Sequence, residues 1–135
     1  MTCLSLLSPI SRRSLVWLTL AATMLAGAPV IAHHGWSWAE GEQMELKGTI
    51  RSISMAPPHP MLMVTASDGK VWQVDLGNPN QTERSGFTGT TAKAGDAVTA
   101  IGNRHLDKSK AHMKAVRIVL AGKNYDMYPE RIRTN

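Results

Sequence analysis

Cysteine is almost missing from this 135-residue chain: Cys3 is the only one. It stands ahead of the first apolar run, too near the start to be a lipoprotein acylation site. The remainder of the chain has no thiol, which excludes disulfides, thiolate zinc sites and a cysteine nucleophile. Aromatic residues are scarce as well, with four tryptophans, two tyrosines and one phenylalanine. Catalytic signatures are absent: there is no Gly-x-Ser-x-Gly elbow, no phosphate-cradling glycine loop and no His-Glu-x-x-His pair. Asp75 and Glu83 stand as isolated carboxylates that surface solvation explains. A binding or accessory role is therefore favoured over an enzyme.

What is present begins with a leader. The first 32 residues contain Arg12-Arg13, an apolar run over residues 15–25 and a small-residue exit at Ala26-Gly27-Ala28 and Ala32. That is the pattern of a secretory signal peptide. Its apolar run is well short of the roughly 20 residues a helix needs to cross a bilayer, so no transmembrane anchor is expected in the mature protein. Cleavage after Ala28 would leave Pro29 first, a poor substrate for most signal peptidases, whereas Val30-Ile31-Ala32 opens directly onto His33. The expected junction is Ala32-His33 and the expected location periplasmic or secreted. Ser11-Arg12-Arg13-Ser14-Leu15-Val16 also fits a twin-arginine export signal, so two export routes stay open.

Size and charge bound the remainder. Residues 33–135 suffice for one small domain with a single core. The whole chain has 15 basic and 10 acidic residues; removing Arg12 and Arg13 with the leader leaves 13 against 10, a net charge of +3. This mild, scattered basicity, together with export, leaves no expectation of a nucleic-acid partner. An unknown small ligand or another periplasmic protein is the expected partner.

The mature chain reads as short strands separated by turns. Leu46, Gly48 and Ile50 share one face of a segment over residues 45–54, and Ile53 falls out of phase, which predicts a bulged, strongly curved strand. Residues 61–66 and 71–76 are joined by Ser67-Asp68-Gly69-Lys70, a strong hairpin signal. Asn78 or Asn80 caps a short helix over residues 81–85. Further strands are expected over residues 97–102 and 111–120, the latter because its β-branched residues are dense. The order strand-strand-strand-helix-strand-strand predicts an all-β domain with one short helix, an OB-fold-like five-stranded small barrel. The expected divisions are a signal peptide over 1–32, the barrel over 33–122 and a C-terminal tail over 123–135 that lies along the barrel or frays.

Several stretches together resemble the DUF6152 family of small exported bacterial proteins. They are the His33-His34 start, Leu46-Lys47-Gly48-Thr49-Ile50, Pro58-His59-Pro60, Trp72-Gln73-Val74-Asp75-Leu76-Gly77, Arg84-x-Gly86-Phe87-Thr88, Lys93-x-Gly95-Asp96-x-Val98-Thr99 and Gly102-Asn103. Pro57-Pro58-His59 stands where the family typically has Asn-Pro-His, and Phe87 where Trp is common. The resemblance implies an exported OB-like domain and no assigned activity.

Chemistry must come from the histidines. A free amino-terminal His33 would offer its α-amine and imidazole to one metal ion, with His34 or His59 as a third nitrogen, an arrangement that suits copper. His59 sits between prolines that fix the backbone, in the loop before the second strand. Against this, neighbouring histidines point apart on an extended chain, and a Pro-His-Pro turn also serves as a rigid connection. His105 and His112 read as solvent-exposed. Met55, Met61, Met63, Met113 and Met127 invite a copper(I) reading, but core packing is the commoner role of methionine. Trp36 and Trp38 share one side of an extended segment, either stacking on a sugar or planar cofactor or pinning the arm to the barrel. The expected site residues are thus His33, His34 and His59 for metal, with Trp36 and Trp38 for ligand. The favoured reading is a non-catalytic binding domain. Its alternatives are a copper-handling protein or metal-dependent oxidase, and an OB domain for oligosaccharide or nucleic acid.

Overall fold

The computed structural model describes residues 35–133. The expected signal peptide, the cleavage junction, His33 and His34 lie outside the described residues. Among those described, no helix is long and apolar enough to cross a membrane.

The chain runs through β1 (Met44–Ser54), β2 (Met61–Ala66), β3 (Val71–Asp75), α1 (Pro79–Arg84), β4 (Ala97–Arg104), β5 (His112–Leu120) and β6 (Lys123–Asp126), then a 3-10 turn at Pro129–Arg131. The sheet order is β3-β2-β1-β4-β5-β6, and β3 also pairs with β5, closing five strands into a mixed barrel. Closure depends on β1 serving two partners. Its first half pairs with β4 from Met44 to Thr49 and its second with β2 from Gly48 to Ser54. The register slips between Ile50 and Ser52, where the apolar phase breaks in the sequence. That bulge bends the strand from one partner to the other. Gly48 stands where both ladders overlap: a Cβ there would meet the Thr65 carbonyl oxygen and lie 2.7 Å from Val64 Cγ1.

Local chemistry sets the connections. In the β2–β3 hairpin, the Lys70 backbone N–H donates to Asp68 Oδ1 at 2.9 Å and the Gly69 N–H to the Ala66 carbonyl at 2.9 Å. Helix α1 starts earlier than expected because Asn78, rather than Asn80, is its cap. Asn78 Oδ1 accepts from the Gln81 N–H, Gln81 Oε1 accepts from the Asn78 N–H, and Pro79 occupies the first turn. Thr82 is fully buried and donates its hydroxyl to the Gly77 carbonyl at 2.9 Å, which fixes the helix against the end of β3.

Alternate residues of each strand fill one core: Leu46 and Ile50, Leu62 and Val64, Trp72 and Val74, Val98 and Ala100, Met113 and Ala115, with Phe87 entering from the loop after α1. Each large side chain buried there contributes about 1.5–3 kcal/mol.

Two expectations are corrected. The tail beyond residue 122 neither frays nor merely lies along the barrel. It supplies a sixth strand, β6, paired antiparallel with β5 from Arg117 to Leu120, and it buries Tyr125, Met127 and Tyr128. One edge of β5 is thus divided, its first part taken by β3 and its second by β6. Methionine divides as well. Met113 and Met127 are in the core, and Met55 packs against it, but Met61 and Met63 are half-buried on the outer face of β2 because Leu62 and Val64 take the inward positions.

Candidate functional site

The parallel pairing of β3 with β5 sets Gln73 opposite His112 and Asp75 opposite Lys114. Trp72, Val74 and Met113 are buried in the core, so these four polar residues project outward. Across the neighbouring strands the two rows continue: Met63 faces Gln73, Met61 faces Asp75, and Asn103 faces Lys114. A barrel would ordinarily leave such an outer face in water.

Here it is roofed by the two ends of the described residues. Gly35 to Ala39 forms a turn rather than the extended segment expected, closed by the Ala39 N–H on the Trp36 carbonyl at 3.0 Å. The arm is then stitched to β4 by the Glu40 N–H on the Arg104 carbonyl at 2.8 Å and the Leu106 N–H on the Trp38 carbonyl at 2.9 Å. Asn103, itself buried, donates Nδ2 to the carbonyls of Glu40, Gly41 and Glu42 at 2.9–3.3 Å. Because the segment turns, Trp36 and Trp38 do not share a side; each covers a different row.

Trp38 stacks on the His112 ring at 4.3 Å and on the His105 ring at 5.3 Å, and the two imidazoles lie 5.7 Å apart beneath it. His112 Nε2 is 2.8 Å from Asp75 Oδ2, and Gln73 Nε2 donates to Asp75 Oδ1 at 2.8 Å. His105 Nδ1 accepts the Asp107 backbone N–H at 2.9 Å, so its other nitrogen carries the proton when the ring is neutral. The side chains of His112 and Asp75 keep only 23% and 14% exposure. This corrects two expectations at once: His105 and His112 are half-buried under Trp38, and Asp75 is not an isolated surface carboxylate. With both carboxylate oxygens bound and the imidazole capped by an indole, the cluster fastens the arm.

Trp36 covers the other row. Its ring meets Tyr128 edge-on at 4.9 Å, with Lys114 Nζ at 5.0 Å and the Arg131 guanidinium at 4.2 Å. Lys114 is only 3% exposed and donates to the Gly35 carbonyl at 3.0 Å. Burial holds its ammonium below the ordinary lysine value of 10.5; Asp75 opposes that shift and the like charge of Arg131 adds to it. Burial likewise pushes the Tyr128 hydroxyl up. A cleft of about 390 Å³ opens beside this cluster, between the arm and the tail, and Trp36, Asn103 and Arg131 are among its walls.

The depressed lysine has a definite sign. Its folded value lies below its unfolded one, so the charged form costs stability at neutral pH, and the cost is relieved as pH rises toward 10.5. Wild type is therefore expected to gain on Lys114→Met between about pH 7 and about pH 10, whatever the offset from the lost contacts. Denaturant titrations of both proteins at the two pH values check this.

His59 follows the Pro57-Pro58 bond, half-buried, in the loop before β2. The Leu76 N–H donates to the Pro60 carbonyl at 2.8 Å, which holds this loop at the end of β3. Asp75, one residue earlier, pairs with Lys114, and Lys114 holds Gly35, the residue next after His34. The His59 loop is thus tied just after β3, and the arm to the neighbouring strand β5 at the level of Asp75. His59 Nδ1 is buried without a hydrogen-bond partner among the described residues. Among those residues no three His, Cys, Asp or Glu side chains gather as a metal site.

Asp75, His112 and Lys114 escaped sequence reading because their neighbours lie 37 or more residues away in the chain. The only local signal was polar residues at alternate positions, Gln73 with Asp75 and His112 with Lys114.

The fold and the site define a small closed barrel whose outer seam is clasped by the two ends of the described residues. A family model described as a family of unknown function, DUF6152, matches residues 21–114, and the chain belongs to that family. No curated protein matches the sequence.

Proposed function

We propose that this chain is an exported, non-catalytic binding domain built on an OB-like barrel, with its ligand site where the arm and the His59 loop meet at the end of β3. Closure in the order β1-β2-β3-β5-β4-β1, with a helix between β3 and β4, supports the OB-like reading. The leader pattern supports export to the periplasm or beyond. The observation that carries the site is that both segments are tied at the level of Asp75: Leu76, just after β3, holds Pro60, and Lys114 on the neighbouring β5, opposite Asp75, holds Gly35.

A second reading names the ligand as copper, favoured by the unpartnered His59 Nδ1. Once the leader is removed before His33, its α-amine and imidazole supply two nitrogens, and His34 or His59 a third. Copper(II) titration of the processed protein is expected to show binding tighter than micromolar, weakened by about tenfold or more in His59→Ala. Binding at micromolar affinity or weaker, or binding indifferent to His59→Ala, removes copper(II) from the account. Intact mass of the exported protein tests the export reading separately, with a first residue of His33 expected.

A further inference from the structure

The alternation that defines β2 begins before the strand does. Met61 and Met63 are half-buried while Leu62 and Val64 are buried, so the two methionines share the outer face of β2, and half-buried His59 ahead of buried Pro60 continues the same alternation of burial. Met44, Met55, Met113 and Met127 all belong to the hydrophobic core or pack against it, but Met61 and Met63 do neither. Packing is the usual reason for a methionine. It does not explain two of them side by side on the outside of a barrel, where burial contributes least.

An imidazole and two thioethers therefore stand at alternate positions of one run, the thioethers on the outer face of β2. The neighbours across the strand pair are Asp75 opposite Met61 and Gln73 opposite Met63. Both are already engaged, with each other and with His112. The soft donors are what remains. His59 contributes a separate observation, since its Nδ1 is buried and unpartnered among the described residues. Most buried side-chain nitrogens have a partner, and an exception calls for an explanation, of which a bound ion is one.

We infer that His59, Met61 and Met63 form a binding site for a soft monovalent metal ion of the copper(I) or silver(I) class. Thioether sulfur selects such ions, and imidazole is a compatible companion. Hard cations, which require oxygen donors, gain nothing from this set. The site is made wholly of barrel residues, so it does not rest on where the leader is cut or on His33.

Silver(I) is the probe, titrated into the exported protein with its methionine methyl groups labelled for NMR. The Met61 and Met63 methyl signals are expected to move together and saturate, while those of Met44, Met55, Met113 and Met127 stay in place. The double variant Met61→Leu with Met63→Leu keeps its thermal midpoint, because both positions are outside the core, and keeps any copper(II) affinity. Its silver affinity falls by about tenfold or more, and His59→Ala lowers it comparably. Methyl shifts confined to other methionines, no shifts at all, or a double variant that holds silver as tightly as wild type would overturn the inference.

Discussion

Gly102→Ala is expected to destabilise the protein by about 3 kcal/mol, the top of the usual range for forcing extra atoms into a packed interior. Gly102 sits at the bulge where β4 changes register against β5, between Ile101 and its own pairing with Ala115. A Cβ there would collide with the Lys114 carbonyl oxygen and lie 2.8 Å from the Ala115 Cα. Both obstacles are backbone, which a rotamer change cannot move. Relief requires β5 to shift away from β4, and β5 is the strand that also closes the barrel with β3 and carries β6. The bulge, the closure and the seat of Lys114 would fail together. Urea denaturation with matched slopes measures the change. A variant within about 0.5 kcal/mol of wild type, the scale of an ordinary surface substitution, would show that β4 and β5 do not approach as described.

A chain ending at Gly122 is expected not to fold cooperatively. Truncation there removes β6 and with it Tyr125, Met127 and Tyr128, all at 7% exposure or less. Tyr125 packs edge-on against Phe87 at 5.5 Å, so the loss reaches the centre of the core. At about 1.5–3 kcal/mol for each buried side chain, the loss is comparable to the whole stability of about 5–15 kcal/mol that small domains possess. Arg117 would also lose Asp126, to which its Nε donates at 2.6 Å. Removal of Tyr128 and Arg131 would leave Trp36 without two of its contacts and Lys114 more open to water. Far-UV circular dichroism with thermal melting checks the outcome: a broad or absent transition is expected. A sharp transition near the wild-type midpoint would show that the domain ends at residue 122 after all.

Much of the barrel is legible from local pattern. The β1 bulge announces itself as a break in apolar phase at Ile53, the hairpin as Asp68-Gly69 between strand-like runs, and the helix as an asparagine, a proline and a glutamine in capping order. Each of these is decided within a few residues. The tail is different, because Lys123-Asn124-Tyr125-Asp126 has no apolar alternation, and only the half-empty edge of β5 makes it a strand. The seam is harder still. Lys114 lies between Met113 and Ala115 and nothing nearby offers it a partner; its environment comes from Gly35, Trp36 and Tyr128, at the two ends of the described chain. His112 is equally dependent on Asp75, brought alongside by a parallel pairing that no turn signal predicts. Trp36 and Trp38 both pack onto the barrel, and a turn at residues 35–39 separates their tasks. His59 stands out in the sequence by its prolines, and the structure adds an unpaired nitrogen among the described residues.

The claim that the arm and the His59 loop form one ligand site meets its most direct test in amide NMR of the processed protein loaded with copper(II), whose paramagnetism erases signals near the bound ion. Loss of signal is predicted together at Gly35, His59, Asp75 and Leu76, with the hairpin at Asp68 unaffected. Loss at Gly35 that leaves His59 untouched, or loss spread evenly over the surface, would contradict it.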